Sequence, residues 1–333
     1  MRRYTLLLSI GLLASGIRVQ AADNIYPVMI SSDHRHLVTQ QGNPYLVQGD
    51  AAWSLISGLT NEEAERYLED RKRKGFNSII VNLIEHKDRG PVNRFGEGPF
   101  TSHADFTTPN EKYFEHADWV IQKAAEKGIQ VFLAPVYLGF EGGDEGWYQE
   151  MLANGPEKMR AWGRFVGKRF AKFDNIVWLI GGDRNPGLTR PEIDAAVQGI
   201  KEFDNRHIMT AHCAPENSGV DQYRQEGWLD FNTTYTYGIV HRMLKADYDR
   251  TPTQPFVLIE STYEGEHNSV PQQIRRQAYW AVLSGATGQF MGSRSIWLFG
   301  PSWQSDLNGR ASRDMTILKS LFYLAALVRA GSR

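Results

Sequence analysis

Lys74-Gly75-Phe76-Asn77-Ser78-Ile79-Ile80-Val81-Asn82-Leu83 is the stretch on which the fold turns. A helical pattern ends at Lys74, Gly75 stops it, and a β-branched apolar run follows at once. Upstream, Thr60 is placed to cap that helix. Glu62 and Glu63 stand in its first turn, where the helix dipole favours anions, and Ala64, Tyr67 and Leu68 keep helical spacing. The same order of signals returns downstream. A helix over 113–127 and Gly128 precede a strand over 129–135, and a helix over 159–173 precedes a strand over 176–180. A helix over 191–203 precedes a strand over 206–211. Strands follow at 231–237, 256–259 and 289–299, with helices at 271–284 and 315–327.

Ahead of this series, Leu37-Val38 and Tyr45-Leu46-Val47 flank the turn signal Gln41-Gly42-Asn43-Pro44. A short β-hairpin is expected over 36–50, its second arm running into Gln48-Gly49-Asp50. With that arm counted first, strands are expected near 47, 78, 131, 178, 208, 233, 257 and 292. They read as continuous apolar runs, as parallel strands buried on both faces do. Eight β-α units predict an α/β fold closed into a (β/α)8 TIM barrel. A doubly wound open sheet is the alternative, weakened because no glycine-rich nucleotide loop follows the first strand.

The chain has 333 residues and a formal net charge of -1, which argues against nucleic acid as its main partner. Its 9 Trp suit a cleft that stacks on sugar rings, although large cores use Trp too. Met1-Arg2-Arg3, the apolar run 4–13 and Val19-Gln20-Ala21 read as a signal peptide over 1–21. The apolar run is too short to span a membrane. The expected mature chain, 22–333, is one barrel domain without a C-terminal β-domain. It is secreted or periplasmic, with no membrane association after cleavage. Cys213 is the only cysteine, so no intramolecular disulfide can form, and it reads as a small buried hydrophobe.

The active site of such a barrel lies at the C-terminal strand ends. Asp50 and Trp53 follow the first strand; Asn82, Glu85 and His86 follow the second; Tyr137 follows the third. The fourth leads through Gly181-Gly182 to Asp183. His212 ends the fifth, Tyr235 and Tyr237 the sixth, Glu260 the seventh with Glu264 beyond it, and Trp297 follows the eighth. Asp183 and Glu260 face each other across the mouth. Two such carboxylates are what glycosidic cleavage needs: one protonates the leaving oxygen, and the other attacks the anomeric carbon or activates water. A loop ion pair of Asp183 with Arg184, or of Glu260 with Arg294, is the structural alternative. Glu85, Glu264 and Glu266 are rivals to Glu260, and Glu260 is preferred because a strand end is stiffer than the loop beyond it. Asp50, Trp53, Asn82, Glu85, Tyr137, His212, Tyr235, Tyr237, Glu264 and Trp297 are the expected substrate-binding set. No HxxxH or HxH stands at a strand end beside an acid, so no metal or other cofactor is expected. The absence of a Gly-x-Ser-x-Gly elbow weighs against acyl transfer.

Lys74-Gly75-Phe76-Asn77 and the four stretches that follow carry a resemblance. Gln48-Gly49-Asp50-Ala51-Ala52-Trp53, Leu133-Ala134-Pro135, Trp178-Leu179-Ile180-Gly181-Gly182-Asp183-Arg184-Asn185-Pro186 and Leu258-Ile259-Glu260-Ser261-Thr262-Tyr263-Glu264 are similar to motifs of the apiosidase-like glycoside hydrolases. The likeness covers roughly residues 34–320. The strand-8 stretch 288–294 departs from the family's pattern. The resemblance implies a retaining glycosidase barrel, with Asp183 as acid/base and Glu260 as nucleophile. It also implies action on pectic plant cell-wall glycans, such as release of apiose-bearing disaccharides. The competing expectation is a barrel that only binds oligosaccharide.

Overall fold

The computed structural model describes residues 25–85 and 91–331. The expected signal peptide and His86 lie outside the described residues. Eight parallel strands form the barrel: β3 (Val47–Ala51), β4 (Ser78–Asn82), β5 (Gln130–Ala134), β6 (Ile176–Gly181), β7 (Met209–His212), β9 (Asn232–Tyr235), β10 (Phe256–Glu260) and β11 (Gly288–Met291). The last strand pairs with the first, as Gly288 to Met291 lie beside Val47 to Asp50. All eight expected strands are present. The eighth stops at Met291, short of the expected 299, and residues Arg294–Trp297 form the short helix α9.

The ladder is interrupted once, between β7 and β9. A two-residue strand, β8 (Asn217–Ser218), pairs antiparallel with the upper end of β9. Below it the seam is bridged by one backbone bond, from the Asp230 amide to the Met209 carbonyl at 2.9 Å, and otherwise by side chains. Thr210 Oγ1 donates to the Phe231 carbonyl at 2.8 Å, the Thr233 hydroxyl donates to the Ala211 carbonyl, and the Met209 amide donates to Asp230 Oδ2 at 2.7 Å.

Ahead of the barrel, β1 (Met29–Ile30) pairs antiparallel with β2 (Leu37–Val38). The expected hairpin arms meet only at a Val38–Pro44 bridge and the Tyr45 amide to Leu37 carbonyl bond, because the second arm is committed to the barrel.

Side chains alternate along the strands, with a break at the end of β10. Val47, Ala51, Ile80, Phe132, Val177, Leu179, Val257 and Phe290 fill the interior. Ile79, Val81, Val131, Leu133, Trp178 and Ile180 face the helices. Gly49 is required: a Cβ there would lie 2.0 Å from the Phe290 ring that plugs the barrel.

The outer helices include α2 (Asn61–Arg73), α3 (Glu111–Glu126), α4 (Tyr148–Phe170), α5 (Arg190–Lys201), α8 (Pro271–Leu283) and α11 (Arg310–Gly331). Thr60 caps α2 in a full capping box with Glu63. Helix α4 starts earlier than its apolar spacing suggests, because the chain turns through Gly155 at φ 70° ahead of Pro156 and resumes the helix.

Candidate active site

The mouth of the barrel opens into a cleft of about 430 Å³. Asp183 reaches it from β6 by an unusual turn. Gly181, Gly182 and Asp183 have φ values of 91°, 137° and 53° in succession. Glycine takes such values freely, but an aspartate held there is strained, and strain of this kind gathers at functional sites. The turn also makes room for a neighbour: a Cβ on Gly182 would lie 2.2 Å from the Tyr137 ring. Tyr137 packs against bare backbone and donates its O–H to Asp183 Oδ2.

Glu260 reaches the mouth by a different device. Phe256 and Leu258 pack outward under the helices, so simple alternation would send Glu260 outward as well. The pairing with β9 slips between Leu258 and Glu260, setting Glu260 beside Tyr235. This bulge turns the carboxylate into the barrel mouth. There Glu260 Oε2 lies 3.0 Å from His212 Nε2, and Oε1 accepts from Tyr237 OH at 3.0 Å. Tyr235 OH donates in turn to Tyr237 OH at 3.1 Å.

His212 is fully buried and lies between the two acids. The Asp183 amide donates to its Nδ1 at 3.2 Å. Burial pulls the ring's pKa down, but the hydrogen bond to Glu260 and the charges of Asp183 and Glu260 outweigh it and leave it raised. Nδ1 also lies 3.3 Å from the Cys213 carbonyl, so one backbone group offers it a proton and the other accepts one from it. The Glu260 carboxylate can only accept, so Nε2 carries a proton aimed at it. Both ring nitrogens are then engaged. Ligand atoms of Asp183, His212 and Glu260 all lie within 4.8 Å of one another, a spacing that would suit a metal ion. Nε2 is given to Glu260 and Nδ1 to the backbone of Asp183 and Cys213, so holding an ion there would cost His212 those contacts.

Burial, then the nearby charge of Glu260, push the Asp183 carboxyl up to about 6. His212, Tyr137 and Tyr235 face it too, and act in the opposite direction. A carboxyl in this state is protonated in weak acid and can serve as a general acid.

Of the residues expected on the rim, Trp53, Asn82, Tyr137, Tyr235, Tyr237 and Trp297 line the cleft with the two acids. Four expected substrate ligands stand elsewhere. Asp50 is buried on the helix-facing side of β3, where its Oδ2 accepts from Tyr67 OH at 2.7 Å and Arg71 Nε at 2.6 Å. Alternation explains this, since Trp53 shares the parity of inward Val47 and Ala51 and Asp50 does not. Glu85 is buried and accepts from Ser57 Oγ at 3.3 Å. Glu264 accepts from the Ala311 amide in the first turn of α11 at 3.0 Å, a capping role. His212 lies behind the two acids, out of solvent. Neither expected ion pair of the acids forms: Arg184 lies over the Tyr148 ring at 4.2 Å, and Glu260 binds His212 and Tyr237.

Phe140, Pro215 and His267 also line the cleft and carried no sequence signal as ligands. Phe140 is 51% exposed, on a loop that turns through positive φ at Gly139 and Gly142. Those glycines were the only available hint. Glu266 faces the cleft as well, but its Oε1 holds the Trp297 indole N–H at 2.9 Å.

A family model described as the apiosidase-like catalytic domain matches residues 31–328. The chain belongs to the apiosidase-like glycoside hydrolases. Among solved structures, a protein described as a glycoside hydrolase is 27% identical with a TM-score of 0.77, covering 88% of this chain and 74% of that one. A family 5 glycoside hydrolase from Bacteroides vulgatus is 24% identical with a TM-score of 0.78, over 88% of this chain and 71% of its own. An endo-1,4-beta-mannanase from Rhizomucor miehei shares the fold at 13% identity and a TM-score of 0.60, over 84% and 99%. None of the curated proteins compared matches the sequence. Membership makes a carbohydrate the substrate of this apiosidase-like hydrolase.

Proposed function

We propose that this hydrolase cleaves O-glycosidic bonds by double displacement, with Asp183 as general acid/base and Glu260 as nucleophile. The observation that carries this reading is the carboxylate spacing. Ligand oxygens of Asp183 and Glu260 lie within 4.8 Å of each other. Retaining enzymes hold their carboxyl groups about 5–5.5 Å apart, whereas inverting ones leave about 6.5–9.5 Å for a water. In the first step Glu260 attacks the anomeric carbon. The bond to the leaving oxygen breaks, and that oxygen takes the Asp183 proton. In the second step water attacks the same carbon, Asp183 accepts the water's proton, and the bond to Glu260 breaks. Nε2–H of His212 and O–H of Tyr237 both donate to Glu260, which suits a group that is an anion before the first step and again after the second.

The substrate we infer is a pectic glycan of the plant cell wall, met outside the cytoplasm after export. Family membership and the sequence resemblance support that choice. The test is to incubate the purified protein with pectic oligosaccharides and with aryl furanosides and pyranosides, reading the first-formed anomer by NMR. Retained configuration is expected, and an inverted product would overturn the mechanism. Thermal shifts with sugars but no product from any glycan would favour a barrel that only binds.

Two pH effects follow from Asp183. The first step needs its proton, so kcat/KM falls as pH rises through about 6. The Tyr137 hydrogen bond favours the charged form, so Tyr137→Phe moves that limb upward. Superimposable profiles for the two proteins would show that the hydroxyl has no such influence. Stability changes with pH in the same direction. The folded carboxyl holds its proton up to about 6 and the unfolded one only to about 3.8, so this group's contribution is present below the lower value and lost as pH rises through the upper. Asp183→Asn is therefore expected to melt above wild type at neutral pH, with the gap closing towards pH 4. A gap of constant size across that range in calorimetry would contradict this.

A further inference from the structure

Beside the catalytic cleft lies a second hollow of about 900 Å³, built on the loops that follow β10 and β11. The two share Glu266, His267 and Trp297, so they are immediate neighbours. Nothing in the proposed two-step reaction uses this space. The hollow's chemistry is selective. Ser293, Ser295 and Ser302 offer hydroxyls, and Arg294 is the one guanidinium among the lining residues. Against it stand three carboxylates, Glu264, Glu266 and Asp306. All three are held in place, by the Ala311 amide, the Trp297 indole and the Ser302 hydroxyl respectively. Such a surface repels an added carboxylate and presents fixed donors and acceptors to sugar hydroxyls.

We propose that this hollow is a subsite for a neutral sugar unit joined to the ring held between Asp183 and Glu260. The assignment rests on reading the cleft as a glycosidase site, and adds a requirement of charge and length.

The experiment uses Glu260→Gln, which binds without turnover, titrated calorimetrically with neutral pectic di- and trisaccharides and with oligogalacturonides of the same lengths. The neutral trisaccharide should bind about tenfold more tightly than the neutral disaccharide, and the acidic pair should show no such gain. Adding Ser295→Trp, which fills the hollow, should abolish the neutral gain. Adding Asp306→Lys should create a gain for the acidic trisaccharide. Circular dichroism and melting confirm that each variant is folded. A length gain that survives Ser295→Trp, equal gains for acidic and neutral sugars, or no gain for either would overturn the subsite. If no oligosaccharide of any length is bound or cleaved, the glycosidase reading fails, and the subsite with it.

Discussion

Glu260→Gln loses about 10⁴- to 10⁶-fold in kcat on any glycoside the protein turns over, with its melting temperature close to wild type. The amide oxygen can still accept the Nε2–H of His212, and the amide NH2 then faces Tyr237, whose hydroxyl oxygen can accept from it, so the local geometry survives. What vanishes is the atom that bonds to the anomeric carbon. Asp183→Ala should behave differently with the leaving group. Aryl glycosides that depart without protonation should keep much of the first step, while poor leaving groups should lose about 10²- to 10⁴-fold. Glu266→Gln should cost far less, because that carboxylate already holds the Trp297 indole. Rapid turnover by Glu260→Gln, or a larger loss at Glu266 than at Glu260, would reverse the assignment.

Arg71→Met is expected to destabilise the protein by about 3–5 kcal/mol, without direct effect on the chemistry. The side chains of Arg71 and Asp50 are both fully removed from water, with Nε 2.6 Å from Oδ2. Nη1 of Arg71 continues to the Leu307 carbonyl at 3.3 Å and Ser312 Oγ at 3.1 Å, tying α2 to the segment that leads into α11. Losing the cation leaves a buried carboxylate supported only by Tyr67. Asp50→Leu combined with Arg71→Met should recover much of the loss, because an apolar pair of similar volume leaves no charge stranded. Urea or thermal melts give both values. A single variant within about 1 kcal/mol of wild type would show that the pair is solvated in solution.

The barrel was legible because each β-α unit repeats one grammar of cap, apolar helix face, glycine and buried strand. Parity within a strand was equally readable and would have kept Asp50 off the rim. Glu260 is the reverse case. Its parity points outward, and only the bulge beside Tyr235, a feature of pairing between two strands, brings it into the mouth. The role of His212 depends on the backbone of Asp183, whose left-handed conformation follows from two glycines but leaves no trace of where its amide points. Phe140, Pro215 and His267 arrive on loops whose paths are set by tertiary packing.

The seam between β7 and β9 has a bearing on motion. A backbone ladder opens only when several bonds break together, whereas a join made by two threonine hydroxyls, one aspartate and a single backbone bond can part a few bonds at a time. His212 and Tyr237 both donate to Glu260, and the seam runs between the strands that carry them. Deuterium should enter the amides bordering this line sooner than those of the continuous ladder from β3 to β6. The barrel thus has a built-in cleavage plane, as a crystal does, and it passes beneath the nucleophile.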